Sequence, residues 1–356
     1  MPPLFEVKET DRKFYEEKLC SFLPHRIIDI HTHVWLAQFK VKEDPSLRAV
    51  TWPQRVALDN SIEDLLESYR LMFPGKSVLP LIFGNALSSG DDIEGGNAYV
   101  SRSAAAFRVP ALIFSDPSWS SAEFEQRIHA GGFLGAKAYL TRSDARIPEN
   151  EIQIFDFLPH HQLAVLDQHG WIAMLHIPRA ARLKDPVNLA QMLVIERRYP
   201  DVKLIIAHVG RAYCPEDVGN AFEKLAESRR MVFDISANTN AEVFLTLIKA
   251  VGPRRILFGS DLPVVRMRMR RLCEGGNYVN LVPRGLYGDV TNDQHMREME
   301  ADESAALTFF MYEEIEAFQR AARQAGLGPR DIAAVFYENG RELLLAAGAP
   351  KSMFSE

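Results

Sequence analysis

The feature that most constrains this chain is a succession of eight short apolar runs, each followed by a turn and then by a helical-looking stretch. They cover 26–30, 78–83, 109–114, 133–139, 171–175, 203–207, 231–235 and 255–258. Most are nearly continuous in hydrophobic residues, the pattern of parallel strands covered on both faces. Between them lie amphipathic segments at 61–71, 121–129, 154–169, 186–199, 215–227 and 241–251. Several have good helix starts, such as Ser61 with Asp64 three residues later, or Ser121 before Ala-Glu-Phe-Glu. Strands alternating with helices imply right-handed crossovers, and eight such units close a barrel. A doubly wound open sheet competes, but no Gly-x-Gly-x-x-Gly turn follows the first run. The expected fold is α/β, a distorted (β/α)8 TIM barrel forming one domain over 1–356. Residues 1–25 make a helical N-terminal extension and 304–356 a helical tail.

Charge and composition narrow the partners. Forty-one Lys and Arg against 47 Asp and Glu give a net charge of -6, without the basic excess of a nucleic-acid binder. No apolar run approaches the roughly 20 residues that a membrane-spanning helix needs. The N-terminus is charged and lacks a secretory apolar core. Cys20, Cys214 and Cys273 are odd in number and far apart, forming neither a disulfide framework nor a metal knuckle, so a cytoplasmic location is the default. The expected partner is a small molecule, with no nucleic acid and no membrane. Because barrels of this kind often associate, a homodimer is the default assembly.

Two segments are too long for simple connections. Residues 34–60, with Trp35, Trp52 and Pro53, follow the first run. Residues 262–303, with Arg266, Arg268, Arg270 and Arg271, follow the eighth. Long loops after barrel strands sit on the face where barrel chemistry occurs, so both are lid candidates. The arginine cluster reads first as a solvated helix face, and otherwise as positive potential over the mouth.

The most informative residues stand at the strand ends. The first run ends Ile-Asp-Ile-His31-Thr32-His33, the fifth Met-Leu-His176, the sixth Ile-Ala-His208 and the eighth Phe-Gly-Ser-Asp261. Alternate strand residues share a face, so His31 and His33 both point into the barrel mouth while Thr32 points at the helices. A third imidazole across the barrel and a carboxylate beside them complete a nitrogen-rich donor set. That set suits Zn²⁺, with Mn²⁺, Fe²⁺ and Co²⁺ also compatible.

The residues Ile28-Asp29-Ile30-His31-Thr32-His33, Leu175-His176, Leu204 to Gly210 and Ile256 to Pro263 together resemble the amidohydrolase superfamily of metal-dependent barrels. The likeness is closest to the branch of mononuclear decarboxylases, hydratases, lactonases and hydrolases, whose closing segment resembles Val335 to Gly340. The resemblance implies that His31, His33 and His176 hold one divalent ion, with Asp261 as fourth ligand or as acceptor from a metal-activated water. His208 would polarise the substrate carbonyl or donate a proton. General acid–base transfer by Asp261 and oxyanion stabilisation by His208 agree with that division.

Lys137, in the fourth run, corresponds to the lysine that binuclear members of the superfamily carboxylate as a bridge. The mononuclear branch also shows Gly-x-Lys there, so one ion is favoured over two bridged by Lys137 with His208 on the second, and Lys137 would hold a substrate carboxylate or, facing the helices, snorkel from the strand end. Arg179 and Arg211 follow the fifth- and sixth-run histidines on loops at the same face, with Tyr213 close behind Arg211. Arginine suits bidentate carboxylate capture; pairing of these loop arginines with Asp185, Glu216 or Asp217 is the competing reading. Asp29 shares the inward parity of His31 and His33, and either orients an imidazole or makes a structural hydrogen bond. Trp35 either walls the pocket or belongs to the core. His25, His129, His160, His161, His169 and His295 read as helix or loop histidines.

The expectation is a metal-dependent hydrolase cleaving an amide, ester or lactone bond in a small carboxylate-bearing molecule. A lyase that decarboxylates or hydrates an aromatic or unsaturated acid is the first alternative, since fold and ligands do not separate the two. A metal-stabilised binding barrel without turnover is the second.

Overall fold

The structure, a computed structural model, describes residues 3–40, 52–88 and 90–355. All eight expected strands form: β1 (Arg26–His33), β2 (Ser77–Phe83), β3 (Ile113–Phe114), β4 (Gly135–Ala138), β5 (Ile172–Leu175), β6 (Lys203–Ile206), β7 (Val232–Asp234) and β8 (Ile256–Leu257). β1 pairs parallel with β2, and β3 to β8 pair parallel in sequence order. Backbone bonds join the two sheets at both seams. Leu112 N donates to Ile82 O at 3.0 Å on one side, and Ile30 N to Phe258 O at 3.0 Å and His33 N to Leu262 O at 3.0 Å on the other. The strands therefore run in barrel order, with the carboxyl ends of β1, β5, β6 and β8 at one rim.

The strands stay short because both faces are buried and turn residues bound them; Ile172, Leu204 to Ile206, Phe233, Ile256 and Leu257 are almost fully covered. Around them pack the helices Ile62–Met72, Ser121–Gly131, His160–His169, Pro186–Arg198 and Ala241–Val251. The Ser61 start is a reciprocal cap, with Asp64 N to Ser61 Oγ at 3.1 Å and Ser61 N to Asp64 Oδ2 at 3.0 Å. The next cap falls one residue before the expected one, on Ser120, whose Oγ accepts from Glu123 N.

Three helical expectations are corrected. The 154–169 stretch splits into a 3-10 turn, Ile154–Asp156, and the helix His160–His169, because Pro159 disfavours a helical residue before it. The 215–227 stretch breaks into short pieces around Gly219, which has φ +51°. An unexpected helix, Ile93–Phe107, follows β2, capped by Asp92 accepting from Gly95 N at 2.8 Å; its two early glycines mask it in the sequence.

The 262–303 segment is no solvated helix. It builds an inserted sheet of β9 (Arg270–Glu274), β10 (Asn277–Pro283) and β11 (Met296–Met299), in the order β11-β10-β9. Its arginines diverge: Arg268 is buried, Arg270 is exposed, and Arg271 reaches the barrel mouth. In the 34–60 segment, Trp35 belongs to the core, 4% exposed, with its indole N–H on Leu58 O, while residues 41–51 lie outside the described residues.

Cys214 and Cys273 are joined in a disulfide, 59 residues apart in sequence, correcting the expectation that the cysteines remain unpaired. The sequence-level ground for a reducing compartment goes with it. The bond ties β9 to the loop after β6. Among the described residues no helix is long and apolar enough to cross a membrane.

The N-terminal helix Glu9–Phe14 is pinned to the insertion by a buried pair. Arg268 Nη1 and Nη2 donate to Asp11 Oδ1 at 2.7 Å and Oδ2 at 2.6 Å, and Thr308 Oγ1 adds a bond at 2.8 Å. The Asp11 side chain is 0% exposed and that of Arg268 7%. Asp11→Ala leaves a desolvated guanidinium without its carboxylate and is expected to cost about 3–5 kcal/mol. Denaturant unfolding monitored by far-ultraviolet circular dichroism measures this; a loss below ~1 kcal/mol contradicts the assignment.

Candidate active site

The rim of the barrel gathers the strand-end residues by local devices that the sequence only partly displays. β1 carries a register irregularity between Asp29 and Thr32. His31 and His33 keep their shared inward face, but Asp29 is turned away from it. Asp29 Oδ2 accepts from Tyr69 Oη at 2.9 Å and its Oδ1 from Ser260 N at 2.8 Å and His31 N at 3.2 Å. Asp29 is thus a structural clamp between β1 and the segment after β8, and burial raises its carboxyl to about 7 against those hydrogen bonds.

Close approach sets the opposite wall. A Cβ on Gly259 would lie 2.8 Å from His31 Cβ, so only glycine lets the chain after β8 pass this near. Asp261, at φ +69°, then turns back toward the histidines. After β6 the residues His208, Val209, Gly210 and Arg211 all have positive φ, between 51° and 61°, a single left-handed turn. Such backbone costs on the order of 1–3 kcal/mol per non-glycine residue and concentrates at functional sites. Here it aims the His208 ring and the Arg211 side chain at one cavity.

Each imidazole of β1 is held through Nδ1. His31 Nδ1 lies 2.9 Å from Asp234 Oδ2, and His33 Nδ1 lies 2.8 Å from Gly84 O. Both therefore present Nε2 to Asp261 Oδ1, at 3.6 Å and 3.1 Å. His208 Nδ1 meets Ser236 Oγ at 2.9 Å. His31, His208 and Asp261 offer ligand atoms that all lie within 4.8 Å of one another. His176 lines the same cavity but turns Nε2 to the Tyr139 hydroxyl at 3.4 Å, and its buried Nδ1 has no partner. The tightest group thus includes His208, which the family resemblance placed outside the ligands, and leaves out both His33 and His176.

The charges suit cation binding. Burial, with Lys137 nearby, lowers the His31 pKa to about 3 despite Asp234, which keeps the ring neutral. Burial also lowers His208 and His176. Burial alone would raise Asp261, but the hydrogen bond from His33 and the neighbouring His208 and His31 carry it down to about 2. An ionised carboxylate among neutral imidazoles is the state a metal requires of its ligands. Lys137 is 1% exposed, with Nζ 3.3 Å from His31 Nε2; burial lowers its pKa to about 8, opposed by Asp234 and Asp261.

These groups open into a cavity of about 400 Å³. Lys137, Tyr139, Arg211 and Tyr213 line it, together with Trp52, Arg271, Tyr278 and His295 from the two long segments. Both lid candidates therefore reach the mouth. Arg179 does not line the cavity; its Nε bonds Asp185 Oδ2 at 3.2 Å, the competing reading given above. His295 is more than a loop histidine, since its ring stacks on Tyr278 at 4.1 Å at the cavity wall. Asp234 and Ser236, absent from the expected site, brace two of the histidines. Asp234 follows an apolar run like Asp261 does, and that placement was the available signal.

Eight parallel strands with imidazoles and a carboxylate gathered at their carboxyl ends define a barrel with a candidate metal centre at its mouth. Residues 28–345 match the model of the amidohydrolase family, and the chain belongs to that family. Solved structures agree in fold. An amidohydrolase from Burkholderia multivorans with bound zinc is 15% identical, with TM-score 0.55, covering 91% of this chain and 99% of that one. The 4-oxalomesaconate hydratase of Rhodopseudomonas palustris is 18% identical, with TM-score 0.54, covering 93% and 100%. A protein described as a probable 2-pyrone-4,6-dicarboxylic acid hydrolase from Acinetobacter baumannii, with citric acid bound, is 14% identical, with TM-score 0.56, covering 89% and 98%. No curated protein matches the chain by sequence.

Proposed function

We propose that this chain is a metal-dependent hydrolase that cleaves an amide, ester or lactone bond in a small carboxylate-bearing molecule. The observation that carries this reading is Asp261, ionised, with the Nε2 atoms of His31 and His33 at 3.6 Å and 3.1 Å, facing a cavity lined by Lys137 and Arg211. The donor set fits one divalent cation, with Zn²⁺ preferred: His31, His33 and Asp261 would hold it, with His208 within 4.8 Å of His31 and Asp261, and His176 would complete the set on turning from Tyr139. A bound ion supplies Lewis acidity and activates water at neutral pH.

The chain's own residues do the rest. Asp261 accepts the proton from the attacking water and returns it to the leaving group. His208 is braced by Ser236, whose Oγ and carbonyl oxygen accept from Nδ1, and in its protonated form it donates a hydrogen bond to the developing oxyanion through Nε2. Arg211 holds a substrate carboxylate and Tyr213 walls the ring of the pocket beside it. Lys137, next to His31, adds positive charge at the floor and supports a substrate anion there.

Protein purified without chelator is expected to contain about one equivalent of metal. Removing it with dipicolinate should abolish hydrolysis of a panel of carboxylate-bearing lactones, esters and amides, and Zn²⁺ should restore it. Activity surviving metal removal overturns the metal reading. Release of CO₂, or addition of water across a double bond without bond cleavage, replaces hydrolysis by the lyase reading.

A further inference from the structure

The cavity holds two guanidinium groups that have no carboxylate partner among the described residues. Of the three arginines that are buried among the described residues, Arg182 and Arg268 each face one, Asp217 at 2.7 Å and Asp11 at 2.6 Å, and Arg266 lies over the Phe5 ring. Arg211, by contrast, donates only through Nη1, to the carbonyl oxygens of Ile177, Pro178 and Arg179. Arg271, on β9, donates Nε to Asn280 Oδ1 at 2.8 Å and Nη1 to Ala237 O at 2.6 Å. The Nη2 of neither arginine donates to a described residue.

Arg271 is also fixed in place. Its guanidinium lies 4.7 Å from the Tyr213 ring, 4.6 Å from Tyr278 and 4.7 Å from Phe310. Aromatic faces attract a cation but do not neutralise it. An arginine keeps its charge even when desolvated, and a desolvated charge is costly without a counter-charge. Glu314 lies beside Arg271 but stops one peptide short: its Oε2 accepts from Ala237 N at 2.8 Å, while Arg271 takes the oxygen of the same residue. Burial, with Asp29 nearby, holds the Glu314 carboxyl well above the usual carboxylate range.

We propose that the substrate carries two carboxylates, one held by Arg211 and the second by the free edge of Arg271, which makes Arg271 a specificity-determining residue. This rests on the cavity being the substrate site. The two arginines approach from different elements, Arg211 from the turn after β6 and Arg271 from the inserted sheet. The Cys214–Cys273 disulfide fastens β9 beside Tyr213, so Arg271 is presented in a fixed position and not on a loose loop. Pre-positioned forks of this kind select bidentate anions by geometry as well as charge.

Isophthalate and benzoate, two flat inert acids that differ by one carboxylate, are the probes, with binding to the full-length, metal-loaded protein followed by calorimetry. Isophthalate is expected to bind at least tenfold tighter than benzoate. In Arg271→Gln the ratio should fall to within about twofold while the benzoate Kd stays unchanged, and Arg271→Lys should keep part of the preference. A purely structural role for Arg271 would weaken both acids together. A wild-type ratio near one, or an unchanged ratio in Arg271→Gln, overturns the proposal. Ala86→Trp, which fills the cavity, separates the two levels. If both acids still bind that variant, the reading of the cavity as the substrate site fails; if it excludes both and the wild-type ratio is near one, only the two-anion assignment fails.

Discussion

Asp261→Asn is expected to lower kcat by a factor of about 10³, within the range that a positioned general base contributes, while leaving KM and the fold nearly unchanged. The substitution keeps the shape of the side chain and an oxygen for His33 Nε2, which sits 3.1 Å from Oδ1 in the native protein. It removes the one property the chemistry needs, a lone pair basic enough to take a proton. Asp234 does not take the place of Asp261, because it lies behind His31, bonded to its Nδ1. Metal content measured on the same sample decides between the two roles open to Asp261. Metal retained with turnover lost makes it the proton acceptor; metal lost with turnover makes it a ligand. Turnover within threefold of wild type removes Asp261 from the chemistry and with it the hydrolytic reading.

Much of this site was legible in the sequence because its logic is one-dimensional. A parallel barrel places the ends of all its strands at one rim, so a polar residue terminating an apolar run lands there whatever the intervening helices do. His31, His33, His176, His208 and Asp261 obey that rule and all line the cavity. The rule failed where the backbone broke its own period. The irregularity after Asp29 reversed its face, which alternation from His31 could not reveal, and the left-handed turn from His208 to Arg211 re-aimed side chains that no strand parity governs. Asp234 obeys the same rule, but it precedes Ile235, inside a stretch that reads as a continuing apolar run.

The lid was less legible still. Arg266, Arg268, Arg270 and Arg271 resemble one charged face, yet they serve different ends, since strand and turn send neighbours apart. Arg268 closes on Asp11, 257 residues away in sequence, and Arg271 on Ala237 and Asn280. Pairings over such separations are fixed by tertiary packing, and composition carries no trace of them. The Cys214–Cys273 bond is of the same kind.

Asp234→Asn is expected to weaken metal affinity by roughly 10- to 100-fold, the usual cost of losing the group that orients a ligating histidine. The tautomer of His31 decides the effect. Asp234 Oδ2 accepts from His31 Nδ1 at 2.9 Å, which places the ring proton on Nδ1 and leaves the Nε2 lone pair for the ion. Its Oδ1 accepts from His208 N at 2.8 Å and Ser236 N at 3.2 Å, so the asparagine oxygen stays with those donors and its NH₂ faces His31. An NH₂ there requires Nδ1 as acceptor and moves the ring proton to Nε2, pointing an N–H at the cation. Asp234→Ala removes both functions at once and should add a loss of stability of about 1–3 kcal/mol for each buried donor left unpaired. Competition with a chromophoric chelator measures the first effect and thermal unfolding the second. Unchanged affinity in Asp234→Asn would mean that His31 does not bind through Nε2. The metal would then have to rest on His33, His176 and His208 around Asp261.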